Sequence, residues 1–162
     1  MGKIAMRSIK MGKCTHSGSS LWQIHMEQMR PGVGVGVCIK KDGHVLMGKR
    51  KGSSLPGTWC FPGGKLDMNE ELEACAVREI REETGIEIKN IRFITFTNDI
   101  AKEAGMHYLT LFYEADWKAG EPEVLEPNKC EEWRWSNWDA LPQPLFISTR
   151  NLIDSGYNPF NV

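Results

Sequence analysis

The five cysteines of this 162-residue sequence (Cys14, Cys38, Cys60, Cys75, Cys130) form no C-x-x-C pair, so the closely spaced thiols of a metal clip or dithiol centre are missing. No apolar run reaches the length needed to cross a membrane. There is no signal-peptide h-region, and Met6 stands where a myristoylation signal needs Ser or Thr. Neither sign of charge is in excess: 20 Lys and Arg face 21 Asp and Glu, a net charge of -1, which gives no broad basic footprint for a nucleic acid polymer. No internal repeat or second domain is visible. These absences point away from membranes and secretion, and the expectation is a reduced, cytoplasmic setting. Cys38 and Cys75 lie inside apolar patterns and read as small core residues. Cys14 and His16 are two ligands in a polar segment, too few for a metal site.

Residues 1–29 are rich in Lys, Ser, Gly and Met and hold no apolar period, so they read as a poorly ordered N-terminal extension to one domain over residues 30–162. Within that domain Val33–Ile39 alternates Val with Gly and reads as a strand whose glycines allow close backbone approach. Asp42-Gly43 signals a hairpin, with Val45–Lys49 as the returning strand. Trp59–Phe61 is a short apolar run before the Pro62-Gly63-Gly64 turn. A helix is expected from about Glu70 to Glu83, capped by Asn69 or Asp67 and stopped by Gly85. Ile86–Ile88 and Ile91–Thr97 read as strands around a turn at Lys89-Asn90. Tyr108–Ala115 and Glu132–Ser136 read as further strands, and Phe146–Ser155 as a second helix. Strands, a helix, more strands and a final helix predict an α/β fold, a mixed sheet with helices on its faces.

One stretch breaks the pattern. Glu79, Glu82 and Glu83 fall in the second half of the first helix, with Glu79 and Glu83 within roughly 40° of each other on the side of Leu72 and Ala76. An inward stripe that starts apolar turns acidic. Carboxylates placed so repel one another, and burying them unpaired costs several kcal/mol. A hard divalent cation relieves this, and carboxylate oxygens suit magnesium or manganese.

The surrounding segment, GKLDMNEELEACAVREIREETGI, resembles the Nudix box, G-x5-E-x7-R-E-U-x-E-E-x-G-U with U aliphatic. It matches at Gly64, Glu70, Arg78, Glu79, Ile80, Glu82, Glu83, Gly85 and Ile86. The resemblance implies the Nudix fold, an α/β/α sandwich, and metal-dependent hydrolysis of a diphosphate linkage. It implies Glu79, Glu82 and Glu83 as metal ligands and catalytic carboxylates, joined by the Gly63 carbonyl, with Mg2+ (or Mn2+) as cofactor. Arg78 and Glu70 read as support, Arg78 by orienting a box glutamate through a bidentate bond and Glu70 through the helix dipole. A further carboxylate outside the box is expected from Glu131 or Glu132; strand alternation turns only one of them toward the metals, and Glu131 is favoured.

Outside the box, RPGVGVGV, GKRKGS, HYLT, EPNKCE and the LF…GYNPF tail resemble the type 15 branch of nucleotide triphosphate diphosphatases, close relatives of MutT, over residues 30–160. That resemblance implies a nucleotide substrate. Arg50 would contact phosphate, and Thr110, Phe146, Ser148 and Thr149 would meet the base, Phe146 by stacking and Thr110 by a hydrogen bond. Ser148-Thr149 replaces the Gly-Leu typical of the branch, and Trp59-Cys60-Phe61 its Phe-Gln-Leu, which opens the base preference. Relatives there are often homodimers, so a homodimer is expected. The Ser-Gln-Pro-Trp-Pro-Phe-Pro stretch of NADH diphosphatases is absent after the box. The reading is therefore hydrolysis of nucleoside triphosphates to monophosphate and diphosphate. The alternatives are another Nudix substrate, such as a nucleotide sugar, and a nucleotide-binding module without catalysis.

Overall fold

The computed structural model describes residues 30–52 and 54–161. The expectations for residues 1–29, including Cys14 and His16, lie outside the described residues. The elements are β1 (Gly32–Lys41), β2 (His44–Arg50), β3 (Trp59–Cys60), β4 (Gly63–Lys65), α1 (Leu72–Thr84), β5 (Glu87–Ala101), β6 (Met106–Ala119), β7 (Cys130–Asn137) and α2 (Ile147–Asp154). Short 3-10 turns occupy Lys102–Ala104 and Trp138–Ala140. The seven strands form one sheet in the order β3-β2-β1-β6-β5, with β4 also on β1 and β7 also on β2. β1 and β6 run parallel and the other pairs antiparallel, so the sheet is mixed as expected.

Period-two alternation along β1 sends its residues to two different cores. Val35, Val37 and Ile39 pack with Cys75, Ala76 and Ile80 of α1. Cys38 faces the other way, in a cluster with Phe112, Phe61 and Leu152 of α2. The two helices thus cover opposite faces, which makes the α/β/α sandwich. Cys38 and Cys75 are both fully buried, and burial pushes the Cys38 thiol up to about 12. The glycines of β1 face the α2 side. A Cβ at Gly32 would run into the ring of Tyr108, and one at Gly36 would lie 2.7 Å from the ring of Phe112. Both aromatic residues stand on β6 directly across from these glycines. The alternating Val-Gly pattern therefore builds a solid core on one face and an aromatic-floored depression on the other.

Three expectations change. The first helix starts at Leu72, not Glu70, and its N-cap is Glu71, with no side-chain capping bond. Asn69 instead takes a left-handed turn conformation (φ 63°), and Glu70 lies before the helix. Gly85 does end the helix in the left-handed region, at φ 73°. Second, the two strands expected around Lys89-Asn90 are one strand, β5: Asn90 has φ 54°, and the register against β6 shifts between Lys89 and Arg92. What reads as a turn is a β-bulge, which uses the same left-handed residue without reversing the chain. Third, Gly63–Lys65 pairs with β1 as β4 instead of ending in a loop.

Candidate active site

The C-terminal half of α1 lies beside β4. Glu79 turns its carboxyl onto Gly64, where a Cβ would collide with it. Glu83, one turn on, accepts a hydrogen bond from the Gly63 N–H at 2.9 Å. Partial burial pushes the Glu83 carboxyl up to about 7; the Gly63 N–H opposes the shift, and the negative charges of Glu79 and Glu126 add to it. Glu82 is exposed.

Arg78 organises the acidic side chains. It makes a bidentate pair with Glu70 (Nε–Oε1 2.7 Å, Nη2–Oε2 2.9 Å) and reaches Glu79 at 2.8 Å and Glu82 at 3.1 Å through Nη1. It also donates to the Lys65 carbonyl at 3.2 Å. Arg78 holds the Glu70 carboxyl down at about 2. The support expected of Arg78 thus takes the form of three carboxylates on one guanidinium, while Glu70 acts through Arg78 and by accepting from the Asp67 N–H at 3.1 Å. Among the described residues no three acidic, His or Cys side chains converge on one point, because Glu79 and Glu82 lean on Arg78 and Glu83 on the backbone.

A cleft of about 650 Å³ runs from these carboxylates across the glycine face of β1. Glu79, Glu83, Gly63 and Arg50 line it, as do Thr110, Phe146, Ser148 and Thr149. The order across the sheet follows from the register: Thr97 on β5 faces Thr110 on β6, Thr110 faces Gly34 on β1, and Gly34 faces Lys65 on β4. Three strand spacings, roughly 14 Å, separate β5 from β4. Arg50 ends β2, donates to the Ser54 carbonyl at 3.2 Å, and stacks its guanidinium over the Phe146 ring at 4.1 Å. One face of Phe146 is therefore already covered. Thr149 is almost fully buried and accepts from the Phe61 N–H at 3.4 Å, so its hydroxyl ties the start of α2 to the chain before β4.

Glu131 and Glu132 do not line the cleft. Glu131 is exposed and pairs with Lys49 at 3.0 Å, and Glu132 pairs with Arg134 at 3.1 Å. The carboxylate from outside the box whose charge bears on Glu83 is Glu126, itself bound to Lys129 at 2.7 Å. The EPNKCE segment contains Glu126, but nothing in its spacing shows that the loop before β7 folds toward α1. Asp99 is the second residue that sequence reasoning missed. It lines the opposite end of the cleft and takes the Thr110 hydroxyl hydrogen at 2.6 Å. Thr110 therefore donates to the protein, not to the cleft.

Residues 29–155 match the family model described as NUDIX domain. The chain belongs to this family. The MutT NUDIX hydrolase of Burkholderia pseudomallei shares the fold with a TM-score of 0.73 and 38% identity, over 77% of this chain and 97% of that one. The chain is also similar to the RNA pyrophosphohydrolase of Caulobacter vibrioides, 48% identical over 79% of this chain and 83% of that protein. It is 29% identical to the NAD-capped RNA hydrolase NudC of Edwardsiella ictaluri over 88% of this chain, but spans only 56% of that protein's length. The MutT-like NUDIX assignment agrees with the box and with the mixed-sheet sandwich read from the sequence. No helix among the described residues is long and apolar enough to cross a membrane.

Proposed function

We propose that this chain is a metal-dependent Nudix hydrolase that cleaves nucleoside triphosphates to a nucleoside monophosphate and diphosphate. The observation that carries the reading is that one cleft holds Glu79, Glu83 and Gly63 at one end, Thr110 and Ser148 at the other, and Arg50 and Phe146 along its wall. Three strand spacings suit an extended nucleotide lying with its phosphates over β4 and its base over β5 and β6.

The donor set fits a hard divalent cation. Glu83 is drawn from water beside a second carboxylate with no basic side chain in salt-bridge contact among the described residues, and glycine at position 64 leaves room for the Glu79 carboxyl. Glu79, Glu82, Glu83 and the Gly63 carbonyl would hold Mg2+ or Mn2+, whose contribution is to neutralise phosphate charge and activate water. Arg78 fixes two of these carboxylates, so their orientation does not depend on the cation alone. Arg50 offers a planar cation to the phosphate chain, steadied by the Phe146 ring. One carboxylate among Glu79, Glu82, Glu83, Glu131 and Glu132 takes the proton of the attacking water, and Glu83 lies in the cleft wall while Glu131 and Glu132 lie off it.

The deciding experiment is chromatographic measurement of substrate loss and of the products formed, with magnesium, for a panel of nucleoside triphosphates, ADP-ribose, NAD, a nucleotide sugar and a 5′-triphosphorylated oligoribonucleotide. Triphosphates are expected to be turned over fastest. A clear preference for the oligoribonucleotide would favour a second reading, supported by the likeness to an RNA pyrophosphohydrolase. Preference for ADP-ribose, NAD or the sugar nucleotide, or no turnover at all, would sink the triphosphate reading.

Phe146→Ala should raise KM more than it lowers kcat, because a stacking contact is similar in the ground and transition states. The loss is about 1–3 kcal/mol if the ring stacks a base. An unchanged KM for every triphosphate means that neither stacking on this ring nor its hold on Arg50 contributes to binding.

The folded unit that supports this activity is residues 30–162. A chain shortened to begin at Met29 should turn over triphosphates at the same rate and melt at the same temperature. Loss of either shows that residues 1–28 belong to the working protein. The reading also includes a homodimer. Val33, Phe96, Ile100 and Leu109 are exposed apolar residues, and Val33 and Leu109 stand in register on neighbouring strands.

A further inference from the structure

We propose that Asp99 reads the nucleobase, and that it selects bases carrying an exocyclic amino group. The inference rests on the reading of the cleft as a nucleotide site. Asp99 stands on β5 and is only 3% exposed, yet it lines the cleft at the end away from the box glutamates. No lysine or arginine pairs with it among the described residues; three neutral donors hold it instead. Its Oδ2 accepts from the Thr97 hydroxyl at 3.0 Å and the Thr110 hydroxyl at 2.6 Å. Its Oδ1 accepts from the Asn151 amide at 2.8 Å.

A carboxylate has about four acceptor positions, two on each oxygen. The two threonines fill Oδ2. Asn151 takes one position on Oδ1 and leaves one open. The partners come from three elements, β5, β6 and α2, and they fix the carboxylate in place. The open position is available to a donor in the cleft.

An asparagine here could accept from both hydroxyls but would set its own NH2 against the Asn151 amide, so it is the carboxylate, acceptor on both oxygens, that holds all three donors. The buried carboxylate makes the Asp99 side of this end of the cleft a wall of acceptors, because the Thr97 and Thr110 hydrogens are already committed to Asp99. Such a wall favours a ring that presents N–H and disfavours one that presents C=O at the same place. Cytosine against uracil, and adenine against hypoxanthine, differ in this respect: one carries an amino group where the other carries an oxo group.

The test is calorimetric titration of the whole protein with nucleoside 5′-monophosphates in the matched pairs CMP/UMP and AMP/IMP, with inorganic diphosphate as a probe of the phosphate end. Monophosphates carry no anhydride bond, so the titration reads the base end whether or not the chain cleaves triphosphates. Absence of triphosphate hydrolysis would sink the proposed reaction and leave this result standing.

In at least one pair the amino member should bind about tenfold tighter or more, the scale of a hydrogen bond to a charged group. Asp99→Asn should erase that preference or turn it toward the oxo member, because the amide brings a donor of its own. Its affinity for diphosphate should stay unchanged. Asp99→Ser, smaller and uncharged, is the second variant should the first fail to fold, and it should lose the preference too. Equal binding within each pair by the unaltered protein overturns the inference. So does preference for the oxo member, a preference that survives both substitutions, or no saturable binding of any of the four.

Discussion

Glu83→Gln should keep the fold and lower turnover by roughly 10²–10⁴, the range for losing an acid/base group or a comparable electrostatic contact. Glutamine still has an oxygen to accept the Gly63 N–H, so the bond between α1 and β4 survives. What disappears is a negative charge drawn from water beside Glu79 and Glu126. The two consequences have opposite signs. Without metal, the charge is a liability: it is desolvated and repelled by two neighbours, so the variant should melt at the same or a higher temperature. With magnesium, the same charge holds the cation, so the unaltered protein should gain melting temperature on adding the metal and the variant should gain less. Measuring kcat together with melting curves, with magnesium and with a chelator, separates a damaged site from a damaged fold. Near-normal turnover in the double variant Glu79→Gln, Glu83→Gln would remove the box from the chemistry altogether.

The contrast between Glu83 and Glu131 shows what was legible in the sequence. The box glutamates lie on one helix, and helical period alone fixes which of them face together, so Glu79 and Glu83 were readable as neighbours. Arg78 was readable as support from its chemistry, a guanidinium able to hold a box glutamate by two bonds, and the glutamate it holds so is Glu70. Glu131 and Glu132 stand at the start of β7, and their surroundings depend on a bulge there: Lys49 and Arg50 of β2 pair with Glu132 and Cys130, which leaves Glu131 as the extra residue. No local pattern encodes that. Glu126 reaches the neighbourhood of Glu83 through a loop, and loop paths carry no period at all. Asp99 was hidden for another reason. In IRFITFTNDIA it reads as a polar residue near a strand end, and only the pairing of β5 with β6 and the packing of α2 bring Thr110 and Asn151 to it. Likewise Asn90 gave the right local conformation and the wrong consequence. A left-handed residue serves a turn and a bulge equally, and the long partner strand β6 decides between them.

Two adjacent glycines should respond to the same substitution in opposite ways. Gly63 has φ 147°, where side chains are rarely found, and a Cβ there would strike the Val35 carbonyl on β1. The obstacle is backbone, so β4 must peel from β1 to make room. Gly63→Ala should cost about 1–3 kcal/mol from the dihedral strain alone, and more from the lost pairing, and it should show as a fall of several degrees in melting temperature. Gly64 has no such dihedral strain. The atoms nearest its Cβ would be those of the Glu79 carboxyl, the far end of a flexible side chain. Glu79 can swing aside and keep its bond to Arg78, so Gly64→Ala should leave the melting temperature nearly unchanged. Yet the swing moves a carboxylate of the site by an ångström or more, and misplacement on that scale costs roughly 100-fold in rate. The expected pair of results is therefore a stability defect at Gly63 and a rate defect with an intact fold at Gly64. The check is kcat/KM for the preferred triphosphate beside a melting curve for each variant. If Gly64→Ala is fully active, the Glu79 carboxyl is not where the reaction needs it. If it unfolds instead, Gly64 serves the β4 pairing and not the site.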